Sequence, residues 1–562
     1  MVEGTASASD ETRGRAAGVD TPAQQLPPKE TRRTPHATWV WPAGLALAAV
    51  VLFLLYYRLS STSGDTADGA DQALQAWNML HGNWLLHGWT VGDVSYYTTE
   101  LPEYVLVEMI RGLGPGVIHV AAAVTYTLLV LLAAWLAKGR ATGKEGVVRA
   151  LIAAGIMLAP QLGQGVHLLL LQPDHLGTQV PVLVIFLVVD RAPRRWYTPV
   201  AIAVLLAWVI VADQVAVFDA VLPLVAVGGL RAGWALVRHR KPLVSQWFEL
   251  SLVAAGIVAY GLSRLGMLVL KHLGGYRSLP LNSRLAAIGD LPSHIKLTAE
   301  GILILYGAQL QGLSTGLAVA FALVHLAGVV LALWAFCVAL RCFFSASDLI
   351  VPVIAAGIIF NLAVYTPSLK AATWFSTREI AAVLPFGAVL AGRLLAERLV
   401  AERLAGRWLQ PVLAGVLACY AIALVYGVAQ HTKADSEQPV VGWLEAHDLK
   451  TGLGTYTESN EITLDSGGRV AVRTVAWLRT GAVPRAYESQ ASWYNPRLSY
   501  ANFVVMNRAD GRGSLIPRWE IAKLAGSPAH TYHYKTFIIM TWHHNLLADL
   551  GGPPSALAGN LG

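Results

Sequence analysis

Charge is what this sequence has least of. Asp, Glu, Lys and Arg make up 14% of its 562 residues, against about 25% in soluble globular domains, while 55% are hydrophobic and the mean hydropathy is +0.49. An ordinary soluble protein is excluded. Cysteine is almost as scarce: Cys337, Cys342 and Cys419 all lie in or beside apolar runs, which gives neither a disulfide framework nor a zinc spacing. No phosphate-cradling glycine loop, H-E-x-x-H or G-x-S-x-G pattern stands in a context that would confirm it. No internal repeat points to a solenoid or a duplicated transporter half. His530, His533, His543 and His544 would be spread over both faces of a strand, so they read poorly as a metal site.

What is present is apolar runs of membrane-crossing length. They fall near 38–57, 116–137, 147–166, 176–190, 196–212, 218–237, 247–270, 314–340, 348–364, 380–396 and 409–428, about eleven spans. The first carries Trp39, Trp41, Tyr56 and Tyr57 at its ends, as interfacial anchors would, and is too long for a signal-peptide core. The tail before it, 1–36, is polar and reads as disordered and cytoplasmic. With the N-terminus inside, Lys138, Arg140, Lys144 and Arg149, then Arg191, Arg194 and Arg195, then Arg238, Arg240 and Lys241, then Arg341, then Arg393, Arg398, Arg403 and Arg407 all fall in cytoplasmic loops. The net charge of +7 is therefore mostly a topology signal, and no nucleic-acid partner is expected. The expected architecture is an all-α polytopic bundle over 37–430 in the plasma membrane, with outer loops at 58–115, 271–313 and 365–379. A small extracytoplasmic α/β domain over 431–562 follows. Its strand-like runs are "GRVAVRTVAWL", "YANFVVM" and "YKTFIIMTW", and "PVVGWLEAHDL" and "PRWEIAKLAG" read as its helices.

The outer loops hold the candidate chemistry. "SGDTADGADQALQAW" places Asp65, Asp68 and Asp71 directly after the first span. Asp68 and Asp71, three apart, share a face of a helix whose N-cap is Thr66 or Asp68, and Asp65 and Asp71 are also explained by solvation and helix-start preference. Leu80, Trp84, Leu85 and Trp89 suggest a helix lying along the interface. "GDVSYYTTELPEY" adds Asp93, Glu100 and Glu103 among Tyr96, Tyr97 and Tyr104, a mixture that suits sugar faces and hydroxyls as well as membrane anchoring. "LLLLQPDHLGTQVP" sets Asp174 and His175 between apolar runs. Ionisable groups there are functional candidates, with a helix-start signal as the alternative. Asp213 and Asp219 occupy a similar short turn. Lys370 and Arg378 precede a late span. Arg378, at the wrong end of that helix for a cation, calls for an anion: a phosphate, or a carboxylate of the first loop.

The acidic first loop, the interfacial helix, the span count and the late basic loop together resemble the GT-C superfamily of membrane glycosyltransferases. "DGADQALQAWNMLHGNWLLHGW", "DVSYYTTELPEYVLVE", "QPDHLGT" and "STREIAAVLPFGAVLAGR" look more closely like an actinobacterial branch. "GLGTYTESNEITLDSGGRVAVRTV" looks like the extracytoplasmic domain that ends many of its members. The resemblance implies a polyprenyl-phosphate sugar donor and transfer on the outer face to a glycan, lipid or protein hydroxyl. Asp68 matches the first-loop catalytic acid, with Asp65 the nearest competitor, and Arg378 matches the donor-phosphate residue, helped by Lys370. Many relatives pair two acids in the first loop where this chain has Asp68-Gly69. That leaves Asp65, Asp93 or Asp174 to supply a second acid or to hold a divalent cation such as Mg or Mn. His175, Glu100 and Tyr97 are the expected acceptor or sugar contacts. The rival readings are a transporter or flippase of lipid-linked precursors and a non-catalytic envelope scaffold.

Overall fold

Among the described residues of the computed structural model, six helices are long and apolar enough to cross a bilayer: Ala43–Ser60, Gly116–Lys138, Val217–Arg238, Val244–His272, Gly316–Arg341 and Pro411–Val428. Trp374–Ile380 and Val383–Ala396, which meet at a 52° bend, pass the same test together and make a seventh if the bent pair counts as one span. The structure describes residues 36–171, 174–240, 242–280, 284–313, 316–344, 348–401, 406–433, 438–478, 481–485, 487–508 and 525–550. The chain divides into two units, 1–48 and 49–562. Of the first, only 36–48, the start of a helix, is described, so the expected disordered tail lies outside the described residues.

In chain order the helices are α1 (His36–Ser60), α2 (Ala67–Leu80), α3 (Glu100–Arg111), α4 (Gly116–Lys138), α5 (Gly143–Met157), α6 (Gln164–Leu170), α7 (Leu176–Arg191), α8 (Tyr197–Ala212), α9 (Leu222–His239) and α10 (Trp247–His272). They continue with α11 (Leu291–Leu305), α12 (Gly316–Arg341), α13 (Ile350–Tyr365), α14 (Val383–Ala401), α15 (Gly406–Val428), α16 (Gln438–Ala446) and α17 (Tyr456–Asp465). The expected count of about eleven spans is not confirmed: among the described residues six helices pass on length and composition, or seven with the bent pair. One reason is that the run 147–166 is broken between α5 and α6, where Pro160 removes a donor and Gly163 takes φ +80°. Another is length. α7, α8 and α13 have 16 residues each, about 24 Å of helix against a hydrocarbon core of about 30 Å.

The core of the bundle is continuous. Tyr56 of α1 meets Tyr126 of α4 edge-on at 4.9 Å, and Phe186 of α7 meets Phe386 of α14 at 5.7 Å. A second apolar cluster lies over the helix ends, where Ala70, Ala73 and Leu74 of α2 pack with Leu101 and Tyr104 of α3, Ile118 of α4 and Leu464 of α17. The interfacial helix expected through Leu85 and Trp89 is not formed. α2 stops at Leu80, Gly82 (φ +96°) and Gly88 (φ +78°) turn the chain, and Trp89 enters a strand, buried.

That strand, β1 (Trp89–Val91), pairs in parallel with β2 (Arg277–Ser278). The C-terminal region carries β3 (Thr451–Gly454), β4 (Ala471–Leu478), β5 (Gly481–Pro484), β6 (Ser489–Gln490), β7 (Phe503–Asn507), β8 (His530–Tyr534) and β9 (Phe537–Thr541). Six of these form one sheet in the order β5-β4-β3-β7-β9-β8. β3 runs parallel to β4 and β7, and α17 crosses from β3 to β4. The expected strands "GRVAVRTVAWL", "YANFVVM" and "YKTFIIMTW" become β4, β7 and β9, and "PVVGWLEAHDL" becomes α16. The segment "PRWEIAKLAG" lies almost wholly outside the described residues. β6 leaves the sheet and pairs antiparallel with β1, so the first outer loop, the 271–313 loop and the C-terminal domain share a three-stranded sheet.

Candidate active site

Asp68 sits in the first turn of α2, whose N-cap is Thr66; its side chain accepts from the Gly69 amide at 3.2 Å. Of the two candidates for the cap, Thr66 and Asp68, it is Thr66 that fills the role. Asp71 is buried and accepts from Gln75 Nε2 at 2.6 Å, so solvation does not explain it. Burial holds its carboxyl well above the usual range, and Glu488 adds to that. Asp65 is turned to the other side, 3.4 Å from His119 Nε2. Gly69 is set by packing: a Cβ there would lie 3.1 Å from Ile118 Cδ1 and 3.0 Å from Thr66 Oγ1. A larger residue at 69 would push Ile118 or Thr66 aside by a few tenths of an ångström.

Of the three candidates for a second acid, Asp174 is the one that shares a cation with Asp68. Arg378 lies on a 3₁₀ turn, Trp374–Ile380, started by a reciprocal Thr373–Ser376 cap. Its Nη1 donates to Asp68 Oδ2 and to Asp174 Oδ2, each at 2.8 Å, while its guanidinium stacks over Phe375 at 4.4 Å. Asp68 and Arg378 are a quarter exposed, at 25% and 24%, and Asp174 only 4%. Gln72 Nε2 also donates to Asp174 Oδ1. Burial pushes the Asp174 carboxyl up to about 6, against the pull of Arg378 and with Asp68 adding to it.

Behind this pair runs a second charged cluster. His175, in the left-handed region at φ +57°, places Nδ1 2.8 Å from Asp213 Oδ2 and Nε2 3.5 Å from Glu379 Oε2. Burial opposes its charge, but Glu379 and Asp213 outweigh burial and hold it protonated. Thr178 Oγ1 donates to the same Asp213 oxygen at 2.8 Å. Gln179 and Asn361 donate to Asp219 at 2.7 Å each. Lys370 Nζ bridges Glu379 and Asp93 at 2.9 Å each, so Asp93 pairs with Lys370 and not with Arg378. Of the expected acceptor contacts, His175 and Glu100 are 2% and 1% exposed and present no surface to a sugar; Glu100 lies against Gly177, where a Cβ would come within 2.5 Å of its carboxylate. Tyr97 Oη donates to the Trp84 carbonyl at 2.8 Å, which makes it a loop fastener.

The C-terminal domain supplies a third group. Tyr456, at the start of α17, donates its hydroxyl to Asp68 Oδ1 at 3.0 Å, and Asn460 Nδ2 reaches the Ala67 carbonyl at 3.4 Å. Arg485 stacks on the rings of Tyr456 and Tyr487, at 3.7 and 4.1 Å, and donates to Glu488 Oε2 at 2.9 Å. Burial, with Asp68 nearby, pushes the Glu488 carboxyl up to about 7 despite Arg485. Tyr456, Arg485, Glu488, Glu379 and Gln72 were not singled out in the sequence. The only local signal was "RAYES", an Arg and a Glu three apart around a tyrosine.

The arrangement offers one carboxylate, Asp68, with one oxygen held by a phenol and the other by a guanidinium, beside a buried acid and a row of further ion pairs. Among the described residues, no group of three or more His, Cys, Asp or Glu is placed to hold a metal ion, and Asp68 and Asp174 share a guanidinium nitrogen.

No family model matches the chain, and no curated protein matches it. Among solved structures it is similar to the Archaeoglobus fulgidus oligosaccharyltransferase in complex with Zn and sulfate, at 13% identity over 82% of this chain and 68% of that one, with a TM-score of 0.43. The apo form of that protein gives 11% identity, 84% and 70% coverage and a TM-score of 0.43. AglB from Archaeoglobus fulgidus, in complex with an inhibitory peptide and a dolichol-phosphate, gives 12%, 84% and 70%, with a TM-score of 0.44. Likeness at this level assigns no activity, and the functional reading rests on the chain's own residues.

Proposed function

We propose that this chain is a GT-C-type glycosyltransferase that moves a sugar from a polyprenyl-phosphate donor to an acceptor hydroxyl on the outer face of the plasma membrane. The observation that carries the reading is the single Arg378 nitrogen held between Asp68 and Asp174, at the ends of apolar helices and beneath a domain that supplies Tyr456. The N-terminus and the basic loops are assigned to the cytoplasm by the positive-inside rule, which puts the site outside.

In the proposed reaction Asp68 takes the proton of the acceptor hydroxyl. The hydroxyl oxygen bonds to the anomeric carbon as the carbon–oxygen bond to the donor phosphate breaks, and the electron pair leaves on the phosphate. Base assistance of this kind is worth about 10²- to 10⁴-fold. Arg378 stabilises the charge growing on the phosphate through paired N–H donors. In the resting arrangement both oxygens of Asp68 already accept hydrogen bonds, so both are engaged before an acceptor arrives. A donor phosphate competes with Asp68 and Asp174 for Arg378, so donor binding releases the base. No step is routed through a cation.

A transporter or flippase would carry its ionisable groups at mid-membrane, whereas Asp68, Asp174 and Arg378 sit where helices end. The test incubates membranes containing the full chain with radiolabelled polyprenyl-phosphate sugars and compares wild type, Asp68→Asn and Arg378→Ala. Transfer by wild type and its loss in both variants supports the reading. Undiminished transfer in both removes the site assignment, and no transfer from any donor removes the enzyme in favour of a scaffold.

A further inference from the structure

The helices that carry the candidate site also define a second one. α4 starts beside Asp65, where His119 lies, and ends at Lys138. α7 starts after His175 and ends at Arg191, and α14 follows Arg378 and carries Arg393. At the far ends of these three helices is a cavity of about 900 Å³ walled by Arg140, Arg149, Arg194 and Arg393 with Asp190 and Asp348.

Its floor is already neutralised. Arg393, 3% exposed, pairs with Asp190 Oδ2 at 2.9 Å and with Asp348, and its Nε donates to the Leu136 carbonyl at 2.9 Å. That triad ties α14 to α4 and α7, and it consumes both aspartates. The wall above keeps an excess of positive charge. Arg140 gives its hydrogen bonds to the Asp190 carbonyl, at 2.8 and 3.2 Å, which leaves its charge uncompensated by that contact. Arg194 is 62% exposed and reaches Glu249 only at 4.0 Å. Arg149 pairs with Glu145 at 2.6 Å. Lys138, Lys144, Arg191 and Arg195 flank the same end.

A second, independent feature fixes the depth of the cavity. Trp135, Trp196, Tyr197, Trp234 and Trp247 are all exposed, between 41% and 76%, and all belong to the helix ends around it. Exposed tryptophan and tyrosine rings collect at the level of the lipid headgroups. A basic cavity between helices at that level is built for a lipid phosphate.

We infer that this cavity binds the phosphodiester headgroup of an anionic phospholipid, through Arg140, Arg149 and Arg194, on the leaflet opposite the Asp68 site. The inference does not depend on the proposed transfer reaction. The phosphate oxygens accept from the three guanidiniums, and the acyl chains follow the apolar surface between the helix ends. Arg393 holds the floor and does not contact the lipid.

The experiment reconstitutes the full chain in nanodiscs of phosphatidylcholine with a minor fraction of phosphatidylglycerol, extracts it gently, and counts retained lipids by native mass spectrometry. Wild type is expected to retain phosphatidylglycerol selectively. Arg140→Ala with Arg149→Ala is expected to lower that retention by roughly thirtyfold, the combined contribution of two cations at a bilayer surface. Arg149→Lys should keep most of it, and the unfolding temperature of each variant separates lost binding from lost fold. Equal retention of both lipids, or full retention by a folded double alanine variant, overturns the inference. A competition arm adds inorganic phosphate: displacement of the lipid at equal concentration overturns the lipid assignment and gives the cavity to a free anion.

Discussion

Arg378 reaches across 310 positions of sequence to place one nitrogen 2.8 Å from the Asp68 carboxylate. No local preference of either segment brings them together. The contact exists because α2 lies on the end of α4 and the 374–380 turn packs beside α6 and α13, and it is completed only by Asp174 from a third segment.

Asp68→Asn should cost transfer about 10²- to 10⁴-fold in kcat, the worth of a general base, while donor KM should fall, because the neutral amide competes less with the phosphate for Arg378. The amide oxygen can still accept from Arg378 or Tyr456, so the unfolding temperature should hold. Single-turnover transfer of labelled sugar measures the first quantity and thermal unfolding the second. A rise in donor KM with intact kcat would assign Asp68 to the donor instead.

Arg378→Ala leaves Asp174 buried without its cation, and breaking a buried pair in this way costs about 3–5 kcal/mol. Adding Asp174→Asn removes the stranded charge and should restore most of the stability. Transfer should not return, because the phosphate still lacks its guanidinium. Recovery of activity in the double variant would mean that Arg378 serves only to neutralise Asp174.

Stability should fall as pH rises through the neutral range. Glu488 has a folded pKa of about 7, above the ordinary carboxylate value of about 4, so the folded chain binds this proton more tightly than the unfolded one. The penalty is absent below about 4, grows through the window, and is complete above about 7, where it amounts to a few kcal/mol at roughly 1.4 kcal/mol per unit. Glu488→Gln should flatten this part of the profile. Parallel curves for wild type and variant between these limits would refute the assignment.

Gly69→Glu would restore the paired acids of the family pattern in sequence but not in space. With Ile118 and Thr66 about 3 Å from any Cβ, overpacking should cost about 1–3 kcal/mol, and transfer should fall with it. A more active variant would show that α2 can move off α4.

Asp68, Arg378 and Asp174 were legible because each is a charge where apolar sequence makes charge expensive. The strands of the C-terminal domain were legible for a related reason: "YKTFIIMTW" and "YANFVVM" have runs that only a buried strand explains. The number of spans was less so, since α8 and α13 are apolar but only 16 residues long, and hydropathy does not register the break at Pro160 and Gly163. Tyr456 and Glu488 were not legible. They lie in a polar region where a tyrosine and a glutamate are commonplace, and only the pairing of β6 with β1 turns that region toward Asp68. Gln72 was hidden by its own helix, because an amide near an acidic turn reads as surface.

The small sheet of β2, β1 and β6 alters how this chain can be taken apart. Its last strand comes from the region that resembles a detachable domain, and α17 beside it rests its tyrosine on the first-loop aspartate. A fragment cut near residue 431 would therefore carry away Tyr456 and Glu488, one wall of the proposed site, and a chimera that exchanges the C-terminal region would exchange them too. Swapping, truncation or directed evolution should therefore keep the two loops and their cover from one parent.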